Sequence, residues 1–328
     1  MLRWGIVSTG VIAKKFAETL TELGKKGNDV TLTAVVSRNE DKAKAFATEH
    51  NAKSFYCNYE DFLNDDNIDI VYIATPNKFH FENAMMCLNA GKHVLCEKPF
   101  TTNAKDAQTL YETARNKGLF IMDGLWTLHL PMYHKIKQLL NDGAIGEVRH
   151  VRAEFGFITQ GARKDMKLDP SLGGGALLDV GIYTIAFAAL AFGVNPTGIK
   201  ANLNISEYGT DDLSTVILEY KDGKSAALSS SIGVTMPKEG VIFGTKGLIR
   251  LPNFHMAEDM TLSVESEEDV EVKMPFEVNG FEYQITESAR CIKSNKNTHE
   301  VLDEAFSVGV IKILDDIRKQ CGLTFSFE

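Results

Sequence analysis

Gly5-Ile6-Val7-Ser8-Thr9-Gly10-Val11-Ile12-Ala13 is the stretch whose reading decides the fold. It joins a short apolar run over residues 2–8 to a segment over residues 12–26 with helical periodicity and one charged face. A strand that turns through glycine into a helix opens a βαβ unit, and the first amides of that helix form a ready site for phosphate. Ser8 stands at the first glycine position of a dinucleotide-binding turn, Gly10 at the second and Ala13 at the third. The second position matters most, because a side chain there would block the approach of the backbone to a pyrophosphate. The alternative is an ordinary tight β-to-α turn; the βαβ context favours dinucleotide binding by Ser8, Thr9, Gly10, Val11 and Ile12.

The pattern continues outward from that turn. Residues 30–37 are apolar and β-branched, 40–50 form an Ala/Lys-rich helix, 53–56 a weak strand and 59–63 a short helix. A strand at 68–74, a helix at 79–90, a strand at 93–96, a helix at 103–117 and a strand at 119–122 follow. Such alternation predicts parallel strands covered by helices, hence an α/β, doubly wound Rossmann domain. After Gly124 the texture changes. A helix at 132–141 gives way to strand-like segments at 147–157, 198–205, 213–220, 225–232, 240–243 and 248–251. Asp222-Gly223 reads as a hairpin turn between two of them. The expectation is a C-terminal α+β domain with a large, mostly antiparallel open-faced sheet. It would be interrupted by a helix at 175–192 and closed by helices near 283–294 and 300–320. The boundary falls near residue 123, giving a nucleotide-binding domain over 1–123 and a substrate and oligomerisation domain over 124–328.

Composition bounds the function. A chain of 328 residues with 44% apolar and 24% charged residues is ordinary for a soluble globular protein of two domains. The net charge of −9 argues against nucleic acid and anionic membrane, since phosphate neutralisation needs a basic face. Five scattered cysteines form no C-x-x-C pair, which fits free thiols better than a disulfide framework or a zinc site. Met1-Leu2-Arg3 runs straight into the first strand without the apolar region of a secretory signal. The stretch nearest to a membrane span, residues 176–192, carries Asp179 and Gly181 and reads as a buried helix. A cytoplasmic protein with no metal site and a small-molecule substrate is expected.

Four further stretches carry chemistry. The second strand ends Ser37-Arg38, where an NAD-specific site usually offers a carboxylate to the ribose hydroxyls. A hydroxyl and a guanidinium in its place, with Lys42 one turn on, favour the 2′-phosphate of NADP over NAD, although NAD stays possible. Ala74-Thr75-Pro76-Asn77 ends the next buried strand, and His80 follows one turn into a helix. Thr75, Pro76, Asn77 and His80 are candidates for the ribose and nicotinamide end of the cofactor, or Asn77 is simply a helix cap. Glu97-Lys98-Pro99 ends the following strand, where open α/β sheets bind ligands. A lysine there, pinned by proline, is placed for proton transfer. Gly173-Gly174-Gly175 opens a helix on which Asp179 and Tyr183, four apart, share a face. A tyrosine beside a lysine can have its pKa lowered or relay protons with it; alternatively, it is a buried ring bonded to a structural aspartate. Trp126 and Phe155 are candidate walls of a substrate pocket, or core.

Taken together, these stretches resemble the glucose–fructose oxidoreductase/inositol dehydrogenase (Gfo/Idh/MocA) family over nearly the whole chain. They read Trp4-Gly5-Ile6-Val7-Ser8-Thr9-Gly10, Ala74-Thr75-Pro76-Asn77, Glu97-Lys98-Pro99 and Trp126-Thr127, then residues 169–179 and Gly244-Thr245-Lys246-Gly247. The branch most resembled is that of dimeric dihydrodiol dehydrogenases and NADP-dependent D-xylose dehydrogenases. The resemblance implies a nicotinamide-dependent oxidoreductase in which Lys98 is the catalytic lysine. Glu97 and Lys98 would lie against the cofactor. Tyr183 would exchange the substrate proton, where many members carry histidine, Lys98 would keep it ionisable, and Asp179 would orient the substrate hydroxyl or Lys98. It also implies a homo-oligomer, a dimer or dimer of dimers, and a substrate that is a sugar, polyol or trans-dihydrodiol. Where similar enzymes read Trp-Thr-Arg-Phe, this chain has Trp126-Thr127-Leu128-His129, which makes that stretch more apolar. Two other readings are a non-catalytic NAD(P)-binding sensor and a redox-cycling glycosidase that holds NAD(P) tightly.

Overall fold

The computed structural model describes residues 1–328. The chain divides into two compact units, each built around its own sheet. The first begins with β1 (Leu2–Val7), α1 (Val11–Lys25), β2 (Val30–Val36), α2 (Glu40–His50), β3 (Ser54–Tyr56) and α3 (Tyr59–Leu63). It continues with β4 (Ile70–Ile73), α4 (His80–Asn89), β5 (His93–Glu97), α5 (Ala104–Lys117) and β6 (Ile121–Gly124). The six strands are all parallel, in the order β3-β2-β1-β4-β5-β6. This is the predicted Rossmann sheet. Strand order reverses between β1 and β4, and ligands of such sheets bind at the carboxyl edge of that switch point. The register aligns Val7 with Val36 and Ile73, and Ile73 with Cys96. Ser8, Ser37, Ala74 and Glu97 therefore leave the sheet along one edge.

Burial on both faces explains the near-continuous apolar strands. Trp4, Ile6, Ile70 and Tyr72 are fully buried, and the Phe16 ring of α1 stacks on Tyr72 with centroids 3.6 Å apart. Each such side chain removed from water stabilises the unit by about 1.5–3 kcal/mol.

In the second unit α6 (Pro131–Asn141) leads into β7 (Val148–Gly156), α7 (Gly161–Leu168) and α8 (Ile182–Phe192). Strands β8 (Gly198–Ile205), β9 (Asp211–Glu219), β10 (Ser225–Ser231), β11 (Gly240–Gly244) and β12 (Gly247–Leu251) follow, then β13 (Asp259–Val264) and β14 (Val270–Lys273). Their order is β14-β13-β12-β11-β7-β10-β9-β8, antiparallel except for the parallel pair β7 and β10. The predicted hairpin forms at Asp222-Gly223, both left-handed, with φ of 60° and 72°. Helix α8 lies on β7, β10 and β11 and is buried from Ile182 to Ala189. A helix apolar all round is a core helix; no helix in the chain is long and apolar enough to cross a membrane.

After β14 the chain returns to the first unit. Residues Glu277–Glu304, carrying α9 (Glu282–Lys293), belong to it, while α10 (Glu304–Gln320) falls largely in the second. Glu282 anchors the return by accepting the amides of Val278, Asn279 and Gly280. Three elements were not anticipated. Strand β14 is a four-residue edge that buries no side chain, β13 buries only Met260, and α7 is a short charged helix that buries only Leu168.

Candidate active site

The first cluster lies at the carboxyl edge of the parallel sheet. Ser8 leaves β1 with φ of 128°, a conformation rarely adopted by a side-chain-bearing residue, and its Oγ accepts the Gly10 amide at 3.1 Å. Strain of this kind collects at functional sites. Gly10 is the N-cap of α1 and supplies no side-chain cap, while Val11 and Ile12 next to it are 76% and 41% exposed. A fifteen-residue helix whose first amides lack a side-chain partner, fronted by exposed apolar residues, fits the pyrophosphate of a dinucleotide. At the end of β2, Arg38 and Lys42 are exposed and Ser37 is half-buried. Asn39 caps α2 by accepting the Lys42 amide, and Glu40 and Asp41 occupy the first turn. No carboxylate stands at the two positions directly after the strand.

After β4 the chain makes a 3₁₀ turn, Asn77–Phe79, before α4 begins at His80. Asn77 is therefore the first residue of a short turn rather than the cap of a long helix. Thr75 is held twice from α4: its Oγ1 accepts from Asn83 Nδ2 at 3.1 Å, and its carbonyl lies 2.8 Å from His80 Nε2. The other ring nitrogen of His80 lies 2.7 Å from the Pro99 carbonyl, and the ring is 1% exposed. His80, expected to face the cofactor, turns both nitrogens inward to backbone. Its burial within the strand-end loops is the reason.

Glu97 is also turned inward. Its Oε1 accepts from the Tyr72 hydroxyl at 2.5 Å and its Oε2 from the Lys98 amide at 3.2 Å, with 8% of the residue exposed. Burial raises the Glu97 pKa, opposed by the Tyr72 bond and by the charges of Lys98 and Lys15. Lys98, half-buried, follows on this held carboxyl, and the Lys98–Pro99 peptide is cis. Trp126 stacks on Phe281 at 5.2 Å, and the ammonium of Lys15 lies over both rings at 5.3 and 4.7 Å. This gives Trp126 a packing partner within the first unit.

The second cluster is built on the second unit's buried helix. The glycine run bends sharply, with φ of 73° at Gly173 and 124° at Gly175. A Cβ at Gly175 would stand 2.3 Å from Oδ1 of Asp211, so only glycine lets the carboxylate approach. Oδ2 of Asp211 then accepts the Leu177 amide at 2.7 Å. Asp211 is 1% exposed, and burial pushes its pKa up to about 7. The helix opens as a five-residue π-turn, Leu177–Gly181, before α8 continues it. Asp179 lies inside this wider turn, a feature common at functional sites.

Asp179 forms an ion pair with Lys167 of α7, both largely shielded from solvent. Tyr183 is 8% exposed and lies in an aromatic group with Phe155 at 5.7 Å and His255 at 6.0 Å. The Phe155 and His255 rings are 4.1 Å apart. The structure thus brings Asp179, Tyr183 and Phe155 into one region of the second unit. It adds Lys167, Asp211 and His255, which sequence reasoning missed. Leu128 and His129 are 4% and 2% exposed, so the divergent dipeptide is core.

Glu287, His299 and Glu300 also gather in the first unit. His299 Nδ1 accepts the amides of Val301 and Leu302, which leaves the proton on Nε2, 3.1 Å from Glu287. Arg290 pairs with both carboxylates and Lys296 with Glu300, so the group is a salt-bridge cluster.

With both clusters described, comparison with known proteins assigns the family. Residues 2–125 match the oxidoreductase family with an NAD-binding Rossmann fold, and residues 133–250 match the GFO/IDH/MocA C-terminal domain. The chain is 34% identical over 331 residues to a trans-1,2-dihydrobenzene-1,2-diol dehydrogenase of Xenopus tropicalis, covering 98% of this chain and 99% of that one. The Mus musculus enzyme of the same name is 34% identical over 330 residues, covering 99% and 98%. Among solved structures, a 3-ketoreductase from Actinomadura kijaniata in complex with NADP aligns over 98% of both chains, with a TM-score of 0.86 and 25% identity. The chain belongs to the GFO/IDH/MocA family and is an NAD(P)-dependent oxidoreductase.

Proposed function

We propose that the protein moves a hydride between NADP(H) and a carbinol carbon of a sugar, polyol or trans-dihydrodiol. The observation that carries this reading is the full-length 34% identity to dihydrodiol dehydrogenases in a chain that keeps Lys98 at the end of β5 and Tyr183 in its buried helix. The ketoreductase crystallised with NADP supports the cofactor, as do exposed Arg38 and Lys42 where a carboxylate would disfavour a 2′-phosphate.

Ser8, Thr9, Gly10, Val11 and Ile12 would hold the pyrophosphate, and Ser37, Arg38 and Lys42 the adenosine end. Thr75, Pro76 and Asn77 would border the nicotinamide ribose, with His80 and Glu97 supporting them from beneath. NADP⁺, when bound, supplies the hydride acceptor. In oxidation the substrate C–H and O–H bonds break as the carbonyl forms; Tyr183 takes the hydroxyl proton and returns it in reduction. Lys98 places positive charge against the reacting oxygen. Asp179, fixed by Lys167, orients a second substrate hydroxyl. Phe155 and Trp126 are apolar walls. The residues over 1–123 would supply nucleotide binding and those over 124–328 substrate binding, in a cytoplasmic homo-oligomer whose mass light scattering would establish.

The test is a panel of sugars, polyols and trans-dihydrodiols screened for NADP reduction. Turnover on one of them, lost in Lys98→Ala and Tyr183→Phe while NADPH still binds, supports the reading. NADPH binding with no turnover on any of them would return the protein to a sensor role.

A further inference from the structure

Carbonyl oxygens only accept hydrogen bonds, and a neutral imidazole has one N–H to give. His80 nevertheless has a carbonyl in reach of each nitrogen, Pro99 O at 2.7 Å from Nδ1 and Thr75 O at 2.8 Å from Nε2. Only the imidazolium can donate to both. In the neutral ring one nitrogen would turn its lone pair on a carbonyl, and that contact must lengthen. The two carbonyls belong to different loops, one leaving β4 and one leaving β5 just after Lys98. Asn83 holds the first loop again through Thr75 Oγ1.

We propose that His80 is a positioning residue for Lys98: it ties the ends of β4 and β5 together through two carbonyls when the ring is protonated and through one when it is neutral. This rests on the reading of Lys98 as a catalytic group, but the brace itself does not. Burial, the largest influence, pulls the ring below the ordinary histidine range, and the charge of Lys98 acts in the same direction, while the two carbonyls favour the proton. Lys98 is the charged group acting on the ring from the loops packed against it, and Lys78 and Glu82, its neighbours along the chain, are exposed. Neutral solution therefore favours the single bond, and mild acid completes the clamp.

The direct test is the ring ¹⁵N signals of His80 in the ligand-free wild-type chain, assigned with His80→Gln and followed from pH 8 to pH 5. One protonated and one bare nitrogen at pH 8, with the second gaining its proton on acidification while the chain stays folded, is the expected result. A ring whose two nitrogens keep the same protonation throughout would overturn the proposal. Kinetics then ask whether the brace positions Lys98. His80→Leu should lower kcat by roughly ten- to a hundredfold, the scale of a small misplacement of a reacting group. NADPH affinity, which depends on the same loop after β4, should fall by less than kcat does, by under about tenfold or ~1.4 kcal/mol, and His80→Gln, with one donor, should recover part of kcat. Equal loss of kcat and of NADPH binding in both variants would mean a general structural role and sink the assignment. Because the ¹⁵N titration needs no substrate, failure of the clamp is distinguishable from failure of the proposed activity.

Discussion

The two units face the same problem, fixing a reactive side chain at the end of a regular element, and solve it with opposite chemistry. In the parallel-sheet unit a buried base, His80, faces two backbone carbonyls, one of them that of Pro99 next to Lys98. In the antiparallel unit a buried acid, Asp211, accepts the amide of Leu177 at the start of the helix that carries Asp179 and Tyr183. Strand ends present outward carbonyls that need donors, whereas helix starts present amides that need acceptors. The element dictates the sign of the brace. Each brace lies in low dielectric, so each couples the geometry of its neighbour to protonation.

The most severe way to break the comparison is to remove the reactive groups themselves. Lys98→Ala and Tyr183→Phe should each lower turnover by ~10²–10⁴-fold, the range for lost general acid–base assistance. NADPH binding measured by fluorescence transfer should survive both. Turnover close to wild type in either variant would show that the brace nearest it supports something other than catalysis.

Next in size is the acid brace. A carboxyl whose folded pKa is raised from 3.8 to about 7 binds more protons folded than unfolded. Its contribution to stability is therefore greatest in acid and falls as pH rises through that window. At ~1.4 kcal/mol for each pKa unit of displacement, the loss between pH 5 and pH 8 is on the order of 3 kcal/mol. Asp211→Asn keeps an oxygen for the Leu177 amide and removes the titration. Urea unfolding at the two pH values should show a markedly shallower decline in the variant. Identical declines would mean that Asp211 does not titrate in this range.

A smaller break tests whether the lysine's support extends to Glu97. Tyr72→Phe removes the donor to a buried carboxyl oxygen, at a cost of about 1–3 kcal/mol for the unsatisfied group. The loss should be greater at pH 8 than at pH 5, because burial raises the Glu97 pKa and acid neutralises the carboxyl. A pH-independent loss in urea unfolding would indicate that Glu97 does not change protonation between pH 5 and pH 8.

What was legible follows the same division. The alternation of apolar runs and helical periods gave the parallel sheet, and the exit of Lys98 from β5 was readable because one strand and one proline define it. The Asp222-Gly223 hairpin was readable for the same local reason. The braces were not. Asp211 reaches Leu177 across 34 residues, and no periodicity links them. His80 was visible as a polar group near a strand end, but its direction depends on Pro99, 19 residues away on a different loop. The π-turn at Leu177–Gly181 was hidden because its sequence is as apolar as an α-helix, and its extra width shows only once the chain is packed. Lys167 was hidden because α7 is a short, mostly charged helix that buries a single apolar residue, Leu168.

The smallest expected effect concerns a residue with no brace at all. Arg38 is exposed, and among the residues directly after β2 no carboxylate stands where one would repel a 2′-phosphate. Its grip on a phosphate would be charge-assisted but solvent-screened, so its worth is modest beside the buried groups. NADPH should bind at least about tenfold more tightly than NADH, a difference of ~1.4 kcal/mol. Arg38→Ala should erase most of that difference while leaving NADH affinity unchanged, and raising the salt concentration should erode it in the wild type. Glu40 and Asp41, one turn on, work against an anion, which is why a larger preference is not expected. Equal binding of the two cofactors by the wild-type chain would leave Arg38 as a solvated side chain at a helix start, and would shift the substrate screen to NAD.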